Sequence, residues 1–432
     1  MKMNYNTHTL ANGLRIIHLP SAQPVVYCGY AVGAGTRDEE LGREEGMAHF
    51  CEHITFKGTE RRSSMQILGH LESVGGDLNA FTNKEETVYH AAVLKENIDR
   101  AVDLLTDIVF HSTYPQAEID KEVEVIVDEI ESYNDSPAEL VYDLFENAVF
   151  GGHPLGHNIL GTAEKLRRYT TADALRFTRR YYRPENSVFF AYGDVDFQKL
   201  VRLLERANAA DAAAESVAAV SLPPQQSAIS DNSCCGGGKD TAAAVLPPYV
   251  AQHIEHHMDT HLAHVMLGTR AYDVHDERRI ALYLLNNILG GPGMTARLNV
   301  SLRERNALVY TVESMAQSYS DTGLWAVYFG CDPKNVKRCL RLIRRELDKV
   351  MQRPLSDAQL RAAKRQIRGQ IGIACDSRES FALAFAKSYL HYGWRTDVTA
   401  LCERIDALTA ADLQRVAQDL FAEERLTMLV IK

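Results

Sequence analysis

Residues 46–59 read Gly46-Met47-Ala48-His49-Phe50-Cys51-Glu52-His53-Ile54-Thr55-Phe56-Lys57-Gly58-Thr59. His49 and His53 are four positions apart, so on a helix their imidazoles lie one turn apart on the same face. Two imidazoles at this spacing can bind one metal ion, and zinc is the usual one. Glu52 reaches the same side of the helix and could contact a metal-bound water without binding the metal. The order H-x-x-E-H is the reverse of the commoner H-E-x-x-H motif of zinc hydrolases.

An amphipathic helix with two histidines at its polar edge would give the same pattern, because short motifs also occur by chance. The choice between a metal site and such a helix therefore depends on the rest of the chain.

Composition limits the class of protein. The chain has 432 residues, too many for one ordinary core, with 46% apolar and 24% charged residues as in a soluble globular protein. The formal net charge of −10 argues against nucleic acid as the main partner. No apolar run approaches the roughly 20 residues that span a bilayer, so we expect no membrane partner. Residues 1–8 lack a secretory signal and the cysteines have no disulfide spacing, so we expect a cytoplasmic protein.

A change of composition divides the chain into two parts. Residues 207–248 are first rich in alanine and then in Pro, Gln and Gly, which predicts a linker. Residues 1–206 and 249–432 are then the two halves. Cys234 and Cys235 are adjacent and therefore poor joint ligands, so we interpret them as loop residues.

The second half repeats features of the first. Gly268-Thr269-Arg270 matches Gly35-Thr36-Arg37, and both are followed by a helical pattern. In the second half the helix reads Ile280-Ala281-Leu282-Tyr283-Leu284-Leu285, without metal ligands. Both halves end in a helix and an apolar strand. This order indicates a two-fold repeat of about 200 residues in which only the first half has the metal chemistry.

A second metal candidate lies near the start of the second half. His253, Glu255 and His257 would share one face of an extended strand. A solvated strand surface is the simpler interpretation, because no distant carboxylate completes a ligand set.

Further motifs bring in a resemblance. Glu122-Val123-Glu124-Val125-Ile126-Val127-Asp128-Glu129 follows the histidine motif, and Arg303 and Tyr310 stand seven residues apart in the second half. With the stretch 46–59, these motifs resemble the insulinase/pitrilysin family of inverted-motif zinc peptidases over the whole chain, and within that family its processing peptidases. The resemblance implies an α+β fold. Its two structurally similar halves would each be an α/β sandwich, with helices packed on a mixed or antiparallel sheet, and together would form a clamshell.

The resemblance also implies the roles of individual residues. His49, His53 and Glu129 would bind one zinc ion per chain, leaving a fourth position for water as in catalytic zinc sites. Glu52 would be the general base, and Glu122 would support the ligands. The remaining assignments concern the substrate: Arg303 and Tyr310 would contact its backbone and the developing oxyanion, and Asn79 and Ala80 would lie on a strand edge to which an extended peptide adds.

These residues predict a zinc-dependent metalloendopeptidase that cuts peptides or unfolded segments in a chamber between the halves. One alternative is a non-catalytic subunit of a processing-peptidase-like complex, but such subunits typically lose ligands that are all present here. Another is a peptide-binding partner of a catalytic chain. We expect a homodimer, or a heterodimer with a homologous chain.

Overall fold

Two β-sheets, one in each half of the chain, form the framework of the fold. A computed structural model of the chain describes residues 3–219 and 245–432. The first sheet has the strand order β1-β2-β6-β3-β5-β4. Its strands are β1 (Asn6–Thr9), β2 (Arg15–Pro20), β3 (Val25–Val32), β4 (Asp77–Thr82), β5 (Thr87–Leu94) and β6 (Ser187–Gly193). The helices of this half are α1 (Met47–Thr55), α2 (Ser64–Glu72), α3 (Ile98–Phe110), α4 (Gln116–Asn134), α5 (Pro137–Val149), α6 (Ala163–Leu166), α7 (Thr171–Tyr181) and α8 (Phe197–Ala219).

The second sheet has the strand order β7-β11-β8-β10-β9. Its strands are β7 (His253–His256), β8 (Ala263–Ala271), β9 (Val309–Ser318), β10 (Gly323–Cys331) and β11 (Thr427–Ile431). The helices are α9 (Arg278–Gly290), α10 (Val336–Gln352), α11 (Asp357–Asp376), α12 (Arg378–Tyr392), α13 (Val398–Ala407) and α14 (Ala410–Leu420). A π-helical segment, Asn299–Glu304, precedes β9.

The two sheets repeat the same pairing pattern. In the first, β2 pairs with β6 in parallel, and β6, β3, β5 and β4 continue with antiparallel pairs. In the second, β7 pairs with β11 in parallel, and β11, β8, β10 and β9 continue antiparallel. Strands β4 and β9 are therefore equivalent edge strands, and helices α1 and α9 are equivalent too. The predicted fold class, two similar α/β halves, is confirmed.

The predicted linker begins inside a helix. Helix α8 runs to Ala219, past residue 207, because an alanine-rich segment has high helix propensity even where its composition resembles a linker. The stretch 220–244, with Cys234 and Cys235, lies outside the described residues. The division at 207–248 stays a prediction. Within the described ranges, every helix is too short or too polar to cross a bilayer.

A helix from the second half covers one face of the first sheet. The other face of that sheet packs on helices of its own half. Successive strand residues point to opposite faces, so Ile17, Val188 and Phe190 point away from that core. They pack instead against Phe381 and Phe385 of α12.

Helix α5 of the first half makes the equivalent contact with the second sheet. Val141 and Phe145 of α5 pack on Met266, Tyr328 and Leu429, which point away from the second half's own core. Each half thus needs a helix of the other to bury its sheet on both faces. Both helices contribute apolar side chains whose burial stabilises by roughly 1.5–3 kcal/mol each.

This exchange of helices predicts one cooperative unfolding transition. Both tryptophans, Trp325 and Trp394, belong to the second half, so their fluorescence follows that half while circular dichroism follows the whole chain. Replacing Phe385 with alanine should lower the free energy of unfolding by about 3–5 kcal/mol, because it empties a buried site between the halves. In urea, both signals should shift together.

The matched control is Ala384→Ser at an exposed position of the same helix. It should change the free energy of unfolding by less than about 0.5 kcal/mol. Two separate transitions, with an unchanged fluorescence midpoint in the Phe385→Ala chain, would show that the halves fold independently.

Candidate metal centre

The structure brings His49, His53 and Glu129 together. The histidines lie on α1 with ring centroids 4.6 Å apart, and Glu129 lies on α4, which packs against α1. Glu129 Oε2 is 3.9 Å from His49 Nε2 and 3.6 Å from His53 Nε2. One donor atom from each of the three residues lies within 4.8 Å of the other two.

Helix α1 is held in place by contacts at its first residues. The helix follows Gly46, whose φ of 85° suits glycine, and a Cβ there would lie 2.7 Å from the carbonyl oxygen of Leu160. The backbone N–H groups of Gly46 and Ala48 donate to the buried Glu39 carboxylate at 2.9 and 2.8 Å. A carboxylate at this end also interacts favourably with the helix dipole. His157 Nε2 lies 2.6 Å from the same carboxylate.

The three residues fit a zinc ion. Two imidazole nitrogens and a carboxylate oxygen are its usual donors, and tetrahedral ligands at about 2.0–2.1 Å from zinc lie about 3.3 Å apart. The two separations between Glu129 and the histidines, 3.9 and 3.6 Å, need only a small contraction. Burial and the neighbouring His53 lower the pKa of His49 to about 3, so this imidazole is neutral, as a ligand must be.

Glu122 orients His53. Its Oε1 is 3.1 Å from His53 Nδ1, and its Oε2 pairs with Lys57 Nζ at 2.5 Å. Burial raises the pKa of Glu122, but the contacts with His53 and Lys57 lower it overall. The pKa of His53 is raised overall, because the hydrogen bond to Glu122 and the nearby carboxylates outweigh burial. Because Glu122 holds Nδ1 of His53, the Nε2 atom of the same ring faces Glu129. Carboxylates that do not themselves bind the metal commonly orient histidine ligands in this way.

Glu52 is a buried carboxylate beside the two histidines. Its exposed fraction is 9%, and the Thr82 hydroxyl donates to its Oε2 at 3.0 Å. Burial raises the pKa of Glu52, against the opposing effects of His53 and Thr82. Thr82 thus holds Oε2 of Glu52, and this contact fixes the direction in which Oε1 points.

Asn79 and Ala80 border the same cavity as this carboxylate. A cavity of about 620 Å³ is lined by residues that include Glu52, His53, Glu122, Asn79 and Ala80. Asn79 and Ala80 lie on β4, an edge strand of the first sheet. The Asn79 side chain is exposed, and its Oδ1 accepts the backbone N–H of Ala80 at 2.8 Å.

Arg303 and Tyr310 lie in a different cavity. This cavity has about 760 Å³, and every residue that lines it belongs to the second half. Tyr310 is 84% exposed on β9, and Arg303 Cζ is 5.7 Å from the centre of its ring. The structure therefore pairs Arg303 with Tyr310 but does not bring them to the zinc-ligand candidates of the same chain.

The candidate at the start of the second half does not form a metal site in this structure. Glu255 pairs with Lys432 at 2.8 Å, on an exposed edge strand. Among the described residues, only His49, His53 and Glu129 form a group of converging donors.

Two contacts of the centre are not predicted from the sequence. Lys57 lies four residues after His53, and on a helix this spacing places the two side chains on one face, where they can share a partner. Thr82 shares a strand face with Ala80, since alternate residues point the same way. Neither pattern indicates the carboxylate that each side chain contacts.

Comparisons with known proteins identify the family of the chain. The profile described as insulinase, peptidase family M16, matches residues 16–163, and the profile described as the M16 inactive domain matches residues 168–367. A protein of Streptomyces coelicolor named an uncharacterized zinc protease is 34% identical over 95% of this chain and 86% of its own length. The uncharacterized zinc protease YmxG of Bacillus subtilis is 31% identical over 98% of this chain and 97% of its own length.

Solved structures share the fold. A protease from Helicobacter pylori superposes with a TM-score of 0.85 over the whole of both chains, at 22% identity. A Pseudomonas fluorescens structure described as a peptidase M16 inactive domain superposes with a TM-score of 0.82 at 18% identity, over 99% of this chain and 98% of its own. With both halves matched by family profiles and relatives above 30% identity along nearly its full length, the chain belongs to the insulinase family of peptidases, family M16.

Proposed function

We propose that this protein is a zinc-dependent metalloendopeptidase. The observation that carries the proposal is the convergence of His49, His53 and Glu129 beside the buried carboxylate of Glu52. The relatives named zinc proteases support it. His49, His53 and Glu129 would hold one zinc ion per chain.

Each residue around the ion has a separate task. When bound, zinc lowers the pKa of water to about 7 and polarises the scissile carbonyl. Glu52 accepts the proton of the attacking water and passes it to the leaving amine. Thr82 holds one oxygen of Glu52, which leaves the other free for the proton. Glu122, held by Lys57, keeps His53 turned toward Glu129.

The substrate would bind as an extended strand. Among the described strands β4 pairs only with β5, so its other edge is available for hydrogen bonds to a peptide backbone. Asn79 and Ala80 lie on this strand and border the cavity of Glu52. Backbone contacts there would place the scissile bond beside the metal, and side-chain pockets would select the cleavage site.

We propose that Arg303 and Tyr310 act on a substrate held by the zinc centre of a second copy. Closing one chain on itself would strain or break the contacts of α5 and α12, which bury apolar side chains between the halves. The exposed ring of Tyr310 on the edge strand β9 is open to a partner. A dimer would thus form the chamber from the first half of one copy and the second half of the other, with a homologous chain as the alternative partner.

The first test removes the base. Glu52→Gln keeps the shape of the side chain but accepts no proton, so hydrolysis of a quenched peptide should fall by about 10²–10⁴-fold. Zinc content, measured by metal analysis, should stay at one per chain. The control Glu124→Gln changes a carboxylate on α4 that pairs with Arg167 at the surface and should keep full activity. Wild-type hydrolysis by the Glu52→Gln protein would contradict the mechanism.

The second test concerns the metal. Dialysis against phenanthroline should abolish hydrolysis, and added zinc should restore it. Glu122→Gln should weaken zinc binding by about 10–100-fold, because His53 loses its orienting partner. Zinc affinity is measured by competition with a chromophoric chelator. Full activity after verified metal removal would exclude a zinc enzyme.

The third test asks which chain supplies Tyr310. Tyr310→Phe alone should lower kcat by about 10²–10³-fold, because a hydrogen-bond donor to the oxyanion is lost. Glu52→Gln and Tyr310→Phe chains are mixed in equal amounts under conditions that let subunits exchange. Half of the dimers then contain one chain of each kind, and one of the two sites in such a dimer is intact. The mixture should therefore recover about a quarter of wild-type activity. Activity equal to the sum of the separate variants would instead assign Tyr310 to the zinc centre of its own chain.

A further inference from the structure

The turn between β4 and β5, residues 83–86, buries three consecutive charged side chains. Lys84, Glu85 and Glu86 have exposed fractions of 7%, 3% and 1%. The turn is closed by the Asn83 N–H, which donates to the carbonyl oxygen of Glu86 at 2.8 Å. Buried charges are costly unless they are paired. Lys84 is paired inside the first half, where its Nζ lies 3.2 Å from Glu146 Oε2 and donates to the His157 carbonyl oxygen at 2.7 Å. The second half therefore acts on the turn through the two glutamates.

The charged partners of Glu86 come from the second half of the chain, while inside the turn the Asn83 side-chain amide donates to Glu86 Oε1 at 2.8 Å. Lys387 Nζ lies 2.8 Å from Glu86 Oε1, and His391 Nε2 lies 2.9 Å from Oε2. Both belong to α12, the helix that covers the first sheet. Burial raises the pKa of Glu86, but these two partners bring it down to about 2.

The neighbouring carboxylate is held from the second half as well. The hydroxyl and the backbone N–H of Ser320 donate to Glu85 Oε1 at 2.6 and 3.2 Å, and Arg37 pairs with the same carboxylate at 2.8 Å. Ser320 lies in the turn between β9 and β10, which is equivalent to the turn at 83–86. The two equivalent turns of the halves thus meet.

The turn begins directly after the residue that contacts the catalytic base. Thr82 is the last residue of β4, and its hydroxyl donates to Glu52 Oε2. Because β4 has a strand neighbour on one side only in the part of the chain that the structure describes, the place of Thr82 is set by its pairing with Thr87 on β5 and by the turn between them. A shift of the turn would move the Thr82 hydroxyl relative to Glu52.

We propose that Lys387 and His391 are positioning residues for Glu52, which hold Glu86 and thereby fix the β4–β5 turn that places the Thr82 hydroxyl on the Glu52 carboxylate. The inference rests on the proposed role of Glu52 as the general base. It assigns a task in catalysis to the half that lacks metal ligands: its helix α12 determines the geometry of the base in the same chain.

The test measures kcat of the full-length, zinc-loaded protein on a quenched peptide. Lys387→Met should lower kcat by about tenfold or more with KM nearly unchanged, because small misplacements of reacting groups are costly. Zinc content should be unchanged. Lys387→Arg, which keeps the cation, should restore most of kcat. The control Arg378→Met alters another cation of α12, which donates to the Val25 carbonyl at 3.0 Å far from the turn, and should leave kcat unchanged.

A double-variant cycle separates positioning from general stability. Thr82→Val removes the hydrogen bond to Glu52, so adding Lys387→Met to it should lower kcat by no more than about twofold further. Losses that multiply would overturn the inference. If the Lys387→Met chain does not fold, Glu86→Gln with Lys387→Met removes both charges together, and the same loss of kcat is expected.

The outcomes also distinguish this inference from the proposed function. A Glu52→Gln protein that is still active would overturn the proposed role of Glu52 as the general base, and with it this inference. An inactive Glu52→Gln protein together with wild-type kcat in the folded Lys387→Met protein would overturn only the role of Lys387 and His391.

Discussion

The fold depends on the reciprocal covering of two sheets. Each sheet has two apolar faces, and the described helices of each half pack on only one face of its own sheet. The other faces are buried by α12 and by α5, each from the opposite half. Because hydrophobic burial is the dominant favourable term in folding, neither half is complete alone. The metal centre depends on this arrangement too, since α4, which carries Glu122 and Glu129, leads directly into α5.

Within this symmetric frame, the chemistry is divided unequally. Helix α1 carries two histidines and a glutamate on the side that faces α4, whereas the equivalent α9 packs Ile280, Leu284 and Leu285 into its core. Both halves keep an edge strand, β4 or β9, beside a cavity. One half therefore supplies the proposed metal site, while the other half covers the outer face of its sheet. The orienting role of α12 and the contribution of a partner copy are our proposals.

Much of the first half can be predicted from the sequence, and less of the second. The four-residue spacing of His49 and His53 predicts a ligand pair on a helix, while Glu129 is found through the family resemblance, since it lies on another helix. Strands β9 and β10 and helices α10 to α13 are not predicted.

The exchange of helices is not predictable from local patterns either. Phe381 and Phe385 show that α12 has an apolar face, but that pattern does not say which sheet the face covers. The contacts of Thr82 and Lys387 likewise join residues distant in sequence. Only the folded chain brings each of them to its carboxylate.

The crossed helices also have a consequence for biosynthesis. The first sheet is fully translated at Gly193, but the helix that covers its outer face starts only at Arg378. At ordinary elongation rates the ribosome needs on the order of tens of seconds to reach it. During this interval the nascent chain exposes Ile17, Val188 and Phe190 on an uncovered sheet, a surface that chaperones recognise. A chain truncated before α12 would leave this apolar face uncovered, and we expect such a fragment to aggregate.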